Sequence, residues 1–443
     1  MSATFRFTGP VAALGDADRA ALLDRGASSD DGAVRAATAA VMARVRTGGD
    51  AALAELAREL DGVTLPSHEV DGATHPLIEV PRARWQAALQ ATPPALRAAM
   101  QRAARNLRAA HGAFVPQGHE IETEPGVIVG RRLDPIARVG VYAPGGRAAY
   151  PSSLLMGAIP ARVAGVGEVV VCSPPTSTGE PAAVILAAAE LAGVDRVFAV
   201  GGAGAIAAMA YGTRTVPRVD RIVGPGNAYV AEAKLQVASI VAIDSPAGPS
   251  ELFVVADRAA DPAIIAREVM AQAEHDPRAA VVVVAIGASV ARRIAEAVAA
   301  RVPTEPRGAI IADALASRGA LLVAQSVDEA IGVVNAWAPE HLLLAVSDPA
   351  GAFDGVRGAG TVFFGETSSV VFGDYLTGAN HVLPTGGLAR SYSGLSTMDF
   401  LRWTTYQRVD RDAARRLAGD TAVFATAEGL PAHAAAAAAW AVA

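Results

Sequence analysis

Apolar positions recur at two periods along this chain, and the change of period divides it. DGAVRAATAAVMARVRTGGD, from Asp31, spaces alanine, valine and methionine three and four apart, one face of a helix, with Gly48-Gly49 as a stop. AALAELARELDG repeats the pattern up to Gly62, and PALRAAMQRAARNLRAAHGAF predicts another long helix entered through Pro93-Pro94. From about Val127 the texture changes. ARVGVYAP, EVVVCSP, RVFAVGG and DRIVGPG are short β-like runs ending in glycine or proline. PSSLLMGAIPARVAG, PAAVILAAAELAG, AGAIAAMAYG and AYVAEAKLQVA are helical runs between them. This alternation predicts βαβ units and a parallel sheet. A second alternating region spans about 251–365, with strands ELFVVAD, AAVVVVAIG, GALLVAQ, HLLLAV and GTVFFG. The expected fold is therefore α/β, with two doubly wound, Rossmann-like modules. From about Thr397 the tail (MDFLRWTTYQRV, DAARRLAGDTAVFATAEG) is expected to be helical, and it is too short to bury a core of its own.

Length agrees with several modules: 443 residues against roughly 150 per domain. A chain 52% hydrophobic and 19% charged can bury a sizeable core, which excludes a disordered or fibrous protein. The net charge of −6, without a basic tract, disfavours nonspecific nucleic-acid binding. Arg102, Arg105 and Arg108 form a helical stripe that is expected to face water. No apolar stretch reaches the roughly 18 residues of a membrane span, and the N-terminus is not patterned as a secretory signal. With one cysteine, Cys172, a cytoplasmic protein without disulfides or a sulfur-ligated metal is expected. Lys234 is the sole lysine.

Three glycine-rich turns follow predicted strands: 141–153, 202–207 and 224–229. Gly202-Ala203-Gly204-Ala205-Ile206-Ala207 fits the relaxed dinucleotide pattern G-x-G-x-x-A, and a plain tight turn would fit it equally well. Asp220 lies where a ribose-binding carboxylate is expected after such a pattern. His68, His75, His111 and His119, of eight histidines, read as surface residues. The other four sit in more telling settings. Gln272 and His275 lie three apart on an expected helix and can share one ion. Glu340-His341 couples two proton-transfer residues before an apolar strand, where they need a turn to act together. Asp374 and His381 share a glycine-rich loop. His433 follows Glu428 in the tail. Glutamine, two histidines and an aspartate would form an oxygen/nitrogen metal site for zinc or manganese, with imidazole favouring zinc.

In this order the motifs resemble the histidinol dehydrogenase family over nearly the whole chain. The resemblance is carried by RVGVYAPGGRAAYPSSLLMGAIPARVAGV, VDRIVGPGNAYVAEAK, DSPAGPSE, AQAEHDP, PEHL, GDYLTGANHVLPTGGLARSYSGLS and ATAEGLPAH. It implies a zinc- and NAD-dependent homodimer that oxidises L-histidinol through L-histidinal to L-histidine with two NAD. It implies one Zn2+ per subunit, bound by Gln272, His275, Asp374 and a His433 supplied across the dimer. It further implies His341 as the base for the alcohol proton and Glu340 as the activator of water on the aldehyde. Ser250, His381 and Glu428 match substrate-binding positions, beside Gln272, His275, Glu340, His341, Asp374 and His433. Tyr142 and Asn227 match cofactor contacts. At a third such contact the family's glutamine is replaced by Gly204. The alternatives are a related zinc/NAD-dependent dehydrogenase of another small alcohol such as a sulfonated diol, a zinc hydrolase using Glu340, and a catalytically inactive metal-binding dimer. The expected division is an N-terminal extension at 1–30, a discontinuous α/β domain at 31–130 and 249–396, a cofactor-side α/β domain at 131–248, and a helical tail at 397–443 packing on a partner subunit.

Overall fold

Runs of valine, leucine and isoleucine without polar alternation must be covered on both faces, and here they form the inner strands of two parallel sheets. The computed structural model describes residues 5–25, 32–70, 73–145, 149–246 and 248–441. By contact density the chain divides into one unit of Met1–Ala113 with Ala137–Phe400 and a second of Phe114–Ile136 with Leu401–Ala443.

The first unit holds both parallel sheets. In the six-stranded sheet the order is Phe7–Pro10, Gly319–Ala324, Ala280–Ile286, Glu251–Ala256, His341–Ala345 and Thr361–Phe364. Every residue of Glu251–Ala256 is buried because alternate side chains feed two cores. Leu252 and Val254 meet Ile265, Val269 and Ile294 on one face, while Phe253 and Val255 meet Val334 and Trp337 on the other. The edge strand Phe7–Pro10 pairs with Gly319–Ala324 of its own chain, so part of the expected N-terminal extension completes this sheet.

The five-stranded sheet has the order Ala242–Ile243, Arg221–Val223, Arg138–Tyr142, Glu168–Ser173 and Arg196–Ala199, all parallel. Its crossover helices carry a second layer. Gly32–Leu60 packs on Gly202–Tyr211 and Ala228–Val237, Arg82–Ala91 on Ala183–Ala192, and Pro94–Ala113 on Pro151–Ala164. These helices thus lie against the helices of 151–237, with Leu53, Leu56, Trp85, Met100 and Leu107 buried. The stop at Gly48-Gly49 is a kink: Gly49 takes φ 53° within Gly32–Leu60. The stripe of Arg102, Arg105 and Arg108 is exposed as expected. Of the four histidines read as surface residues, His68 and His119 are exposed and His75 is half-buried. His111 departs from that reading: it lies on the buried face of its helix, at 3% exposure.

In the second unit the strand Leu401–Val409 pairs antiparallel with Val127–Pro135, which pairs with His119–Glu124. MDF lies in a short helical turn, but the helical expectation for MDFLRWTTYQRV is overturned for LRWTTYQRV. Its aromatic and β-branched residues suit a strand, and all nine residues find ladder partners in Val127–Pro135. The helices Arg411–Ala427 and Pro431–Ala438 follow and pack on each other. Among the described residues no helix is long and apolar enough to cross a membrane.

Candidate active site

Glu340 and His341 act together because the chain turns before their strand begins. Ala338 takes a left-handed φ of 52°, Pro339 follows, and His341 is the first residue of the strand. The His341 ring and the Glu340 carboxylate come within 3.4 Å, both almost fully buried. His341 Nδ1 donates to the Glu251 carbonyl at 2.9 Å. A carbonyl only accepts, so this bond commits Nδ1 as a donor and makes Nε2 the nitrogen that gains or loses a proton. Nε2 has no hydrogen-bond partner and faces Asp374 Oδ1 at 3.6 Å. Burial alone would lower the His341 pKa, but the Glu340 and Asp374 carboxylates outweigh it and hold it well above the usual histidine value.

Gln272 and Asp374 lie on two helices that pack on each other. Pro262–Ala273 lies against the short helix Val370–Tyr375, and the Val370 N–H donates to Glu268 one turn before Gln272. Asp374 thus sits on a helical turn where a patternless loop was expected. His275 lies just beyond the helix end at Ala273 and is tied back by its N–H to the Gln272 carbonyl, at 3.3 Å. The Gln272 side chain is buried, and its Nε2 end has no partner. Burial alone would raise the Asp374 pKa; His341, His381 and His275 override it and hold the carboxylate below its ordinary range. His381 donates from Nδ1 to the Asp374 carbonyl at 3.0 Å, and its Nε2 meets Ser153 Oγ at 3.1 Å. Burial lowers the His381 pKa against the pull of Asp374. Ser250 is half-buried next to Glu251.

Among the described residues no group of three or more His, Cys, Asp or Glu side chains is arranged to hold a metal ion. In the first unit the expected metal set contains only His275 and Asp374 of those types, with an amide from Gln272. Glu428 and His433 belong to the second unit, where both are exposed: Glu428 ends the helix Arg411–Ala427 and His433 lies on Pro431–Ala438. A buried amide end without a partner, an ionised carboxylate and an imidazole are, by type, a donor set that suits zinc.

The three glycine turns lie at the carboxyl ends of the five-stranded sheet, where open α/β sheets receive ligands, with 146–148 of the first lying outside the described residues. Tyr142 is buried, its hydroxyl accepts the Gly202 N–H at 3.1 Å, and burial pushes its pKa up to about 12. Gly224 takes φ 117°, and a Cβ there would stand 2.1 Å from the Tyr142 carbonyl oxygen, so only glycine fits this close approach. Asn227 caps the helix Ala228–Val237, accepting from Tyr229 N and Val230 N at 3.1 Å each. Gly204 is buried in the first turn of Gly202–Tyr211, facing Leu53 and Leu56. Asp220 is at the wrong end of the sheet for a ribose contact. It precedes the strand Arg221–Val223, and its carboxylate accepts the N–H of Arg138 at the start of the neighbouring strand.

The sequence profile of the histidinol dehydrogenase family matches residues 24–440. The chain belongs to the histidinol dehydrogenase family. Histidinol dehydrogenase of Halobacterium salinarum is 46% identical over 426 residues, covering 96% of this chain and 97% of that protein. The Methanothermobacter thermautotrophicus enzyme is 43% identical over 394 residues, covering 89% and 90%. The crystal structure of histidinol dehydrogenase from Elizabethkingia anophelis superposes with a TM-score of 0.92 at 32% identity, covering 99% of this chain and 98% of that one. Two residues of this histidinol dehydrogenase family member escaped sequence reasoning. Ser153 and Glu251 are ordinary in spacing, and only their contacts with His381 and His341 single them out.

Proposed function

We propose that the chain oxidises L-histidinol through L-histidinal to L-histidine with two NAD, as the last steps of histidine biosynthesis, in a cytoplasmic homodimer. The observation that supports this best is the orientation of the His341 ring: Nδ1 is committed to a carbonyl, so Nε2, beside Asp374, is the nitrogen available to exchange a proton. Gln272, His275 and Asp374 would hold one zinc ion per subunit with His433 of the partner subunit. Bound there, zinc would grip the amine and imidazole of the substrate and leave its hydroxymethyl carbon free. NAD, contacting Tyr142 and Asn227, would accept the hydride.

The chain's own residues supply proton transfer and orientation. His341 Nε2 takes the hydroxyl proton as the alcohol carbon gives up hydride. Glu340 then takes a proton from the water that adds to the aldehyde. Ser250, His381 and Glu428 orient the substrate, with Glu428 coming from the partner subunit. The tail, too small for a core of its own, is well suited to reach across a dimer. A steady-state assay tests the reading: two NADH should form per histidinol consumed, and a chelator should stop the reaction. Absence of NADH from histidinol overturns it.

A further inference from the structure

A buried ion pair lies directly behind the catalytic pair, and nothing in the reaction uses it. Arg25 and Glu251 meet at 2.6 Å with side chains 4% and 3% exposed. Arg25 also donates to the Trp337 carbonyl and stacks on the Trp337 ring at 3.7 Å. Trp337 closes the helix Val327–Trp337, three residues before Glu340. The other Glu251 carboxylate oxygen accepts the Gly386 N–H at 2.8 Å, from the loop that follows His381. The main chain of residue 251 makes the remaining contacts. Its N–H donates to Glu340 Oε2 at 2.6 Å, and its carbonyl accepts from His341 Nδ1 at 2.9 Å. One residue therefore orients both catalytic side chains, and its own side chain is tied to two other segments, at Arg25 and Gly386.

Burying two charges is costly, and an apolar pair of equal volume commonly serves stability as well or better. Position explains the pair better than stability does. A carboxylate forked between Arg25 and Gly386 fixes residue 251 along its strand, and a shift of about 1 Å there can cost roughly 100-fold in rate. We propose that Arg25 and Glu251 are a positioning pair for Glu340 and His341, so that a segment far off in sequence sets the geometry of proton transfer. Neither residue touches the substrate. The proposal rests on the roles assigned above to Glu340 and His341.

The test compares Arg25→Met, Arg25→Lys, Glu251→Gln and the Arg25→Met/Glu251→Gln double variant as full-length enzymes. Each is measured for kcat and KM with histidinol, bound zinc and thermal midpoint. Arg25→Met and Glu251→Gln should each lower kcat about tenfold or more, with KM within about twofold and zinc content unchanged. The double variant should be no worse than the poorer single, since the pair acts as a unit. Arg25→Lys should recover most of the kcat lost in Arg25→Met. If Arg25→Met fails to fold, the near-isosteric Glu251→Gln carries the same comparison. Wild-type kcat in a folded Arg25→Met or Glu251→Gln variant overturns the proposal, as does a loss confined to KM. A wild-type chain that makes no NADH from histidinol overturns the functional reading instead.

Discussion

His341 owes its proposed role to one hydrogen bond: with Nδ1 donating to the Glu251 carbonyl, Nε2 is the nitrogen that exchanges protons. His341→Asn should lower kcat for histidinol about 100- to 10,000-fold, the usual worth of a general base. Zinc content and unfolding midpoint should stay close to wild type, and steady-state kinetics with metal analysis checks both. His111 is the opposite case, a histidine whose position serves packing. It is buried with neither ring nitrogen partnered, and burial lowers its pKa against the weaker pull of Asp399. The sign follows from linkage. Below the unfolded value of about 6.5 the unfolded chain binds a proton that the folded chain refuses. Its contribution is thus complete above that pH and lost as pH falls. Between about pH 7.5 and about pH 5.5 the wild-type midpoint should fall more than that of His111→Met, as thermal unfolding would report.

At the scale of elements, the helix Gly202–Tyr211 shows how one position can serve packing and a motif at once. Gly204 completes G-x-G-x-x-A, yet its missing Cβ would point at Leu53 and Leu56 at 3.6 Å, an ordinary contact distance. Alanine fits there without strain and avoids the backbone entropy that glycine loses in a helix. Gly204→Ala should therefore raise the unfolding free energy by about 0.5–1 kcal/mol in chemical denaturation. The strand Leu401–Val409 carries a different lesson. LRWTTYQRV has few apolar residues for either period to mark, so its state is set by the strand beside it. Asp220 repeats the point. Its spacing after Gly202 suited a ribose contact, but spacing does not say on which edge of a sheet a residue emerges.

For the whole molecule, the decisive division is between the unit that carries Gln272, His275, Asp374 and the catalytic pair and the unit that carries Glu428 and His433. If active sites are shared, inactive His275→Ala and His433→Ala chains should complement each other. Mixed dimers would then hold one site with all its ligands intact, so mixing should restore a substantial fraction of wild-type NADH formation. No recovery in verified mixed dimers would mean that each site is built from a single chain.

What the sequence determined by itself follows from short-range chemistry. Strand and helix periods identified two parallel sheets, and the blocks around His275, His341, Asp374 and His433 carried the family. Tertiary structure decided what depends on contacts far apart in the chain. It made the Glu340–His341 pair through a left-handed turn at Ala338, sent Asp220 to the opposite edge from the glycine loops, and buried His111. It also set Arg25 behind Glu251, 226 residues away. Local patterns reveal which face of an element is apolar. Which faces meet is settled only when burial and hydrogen bonding are satisfied over the whole chain at once.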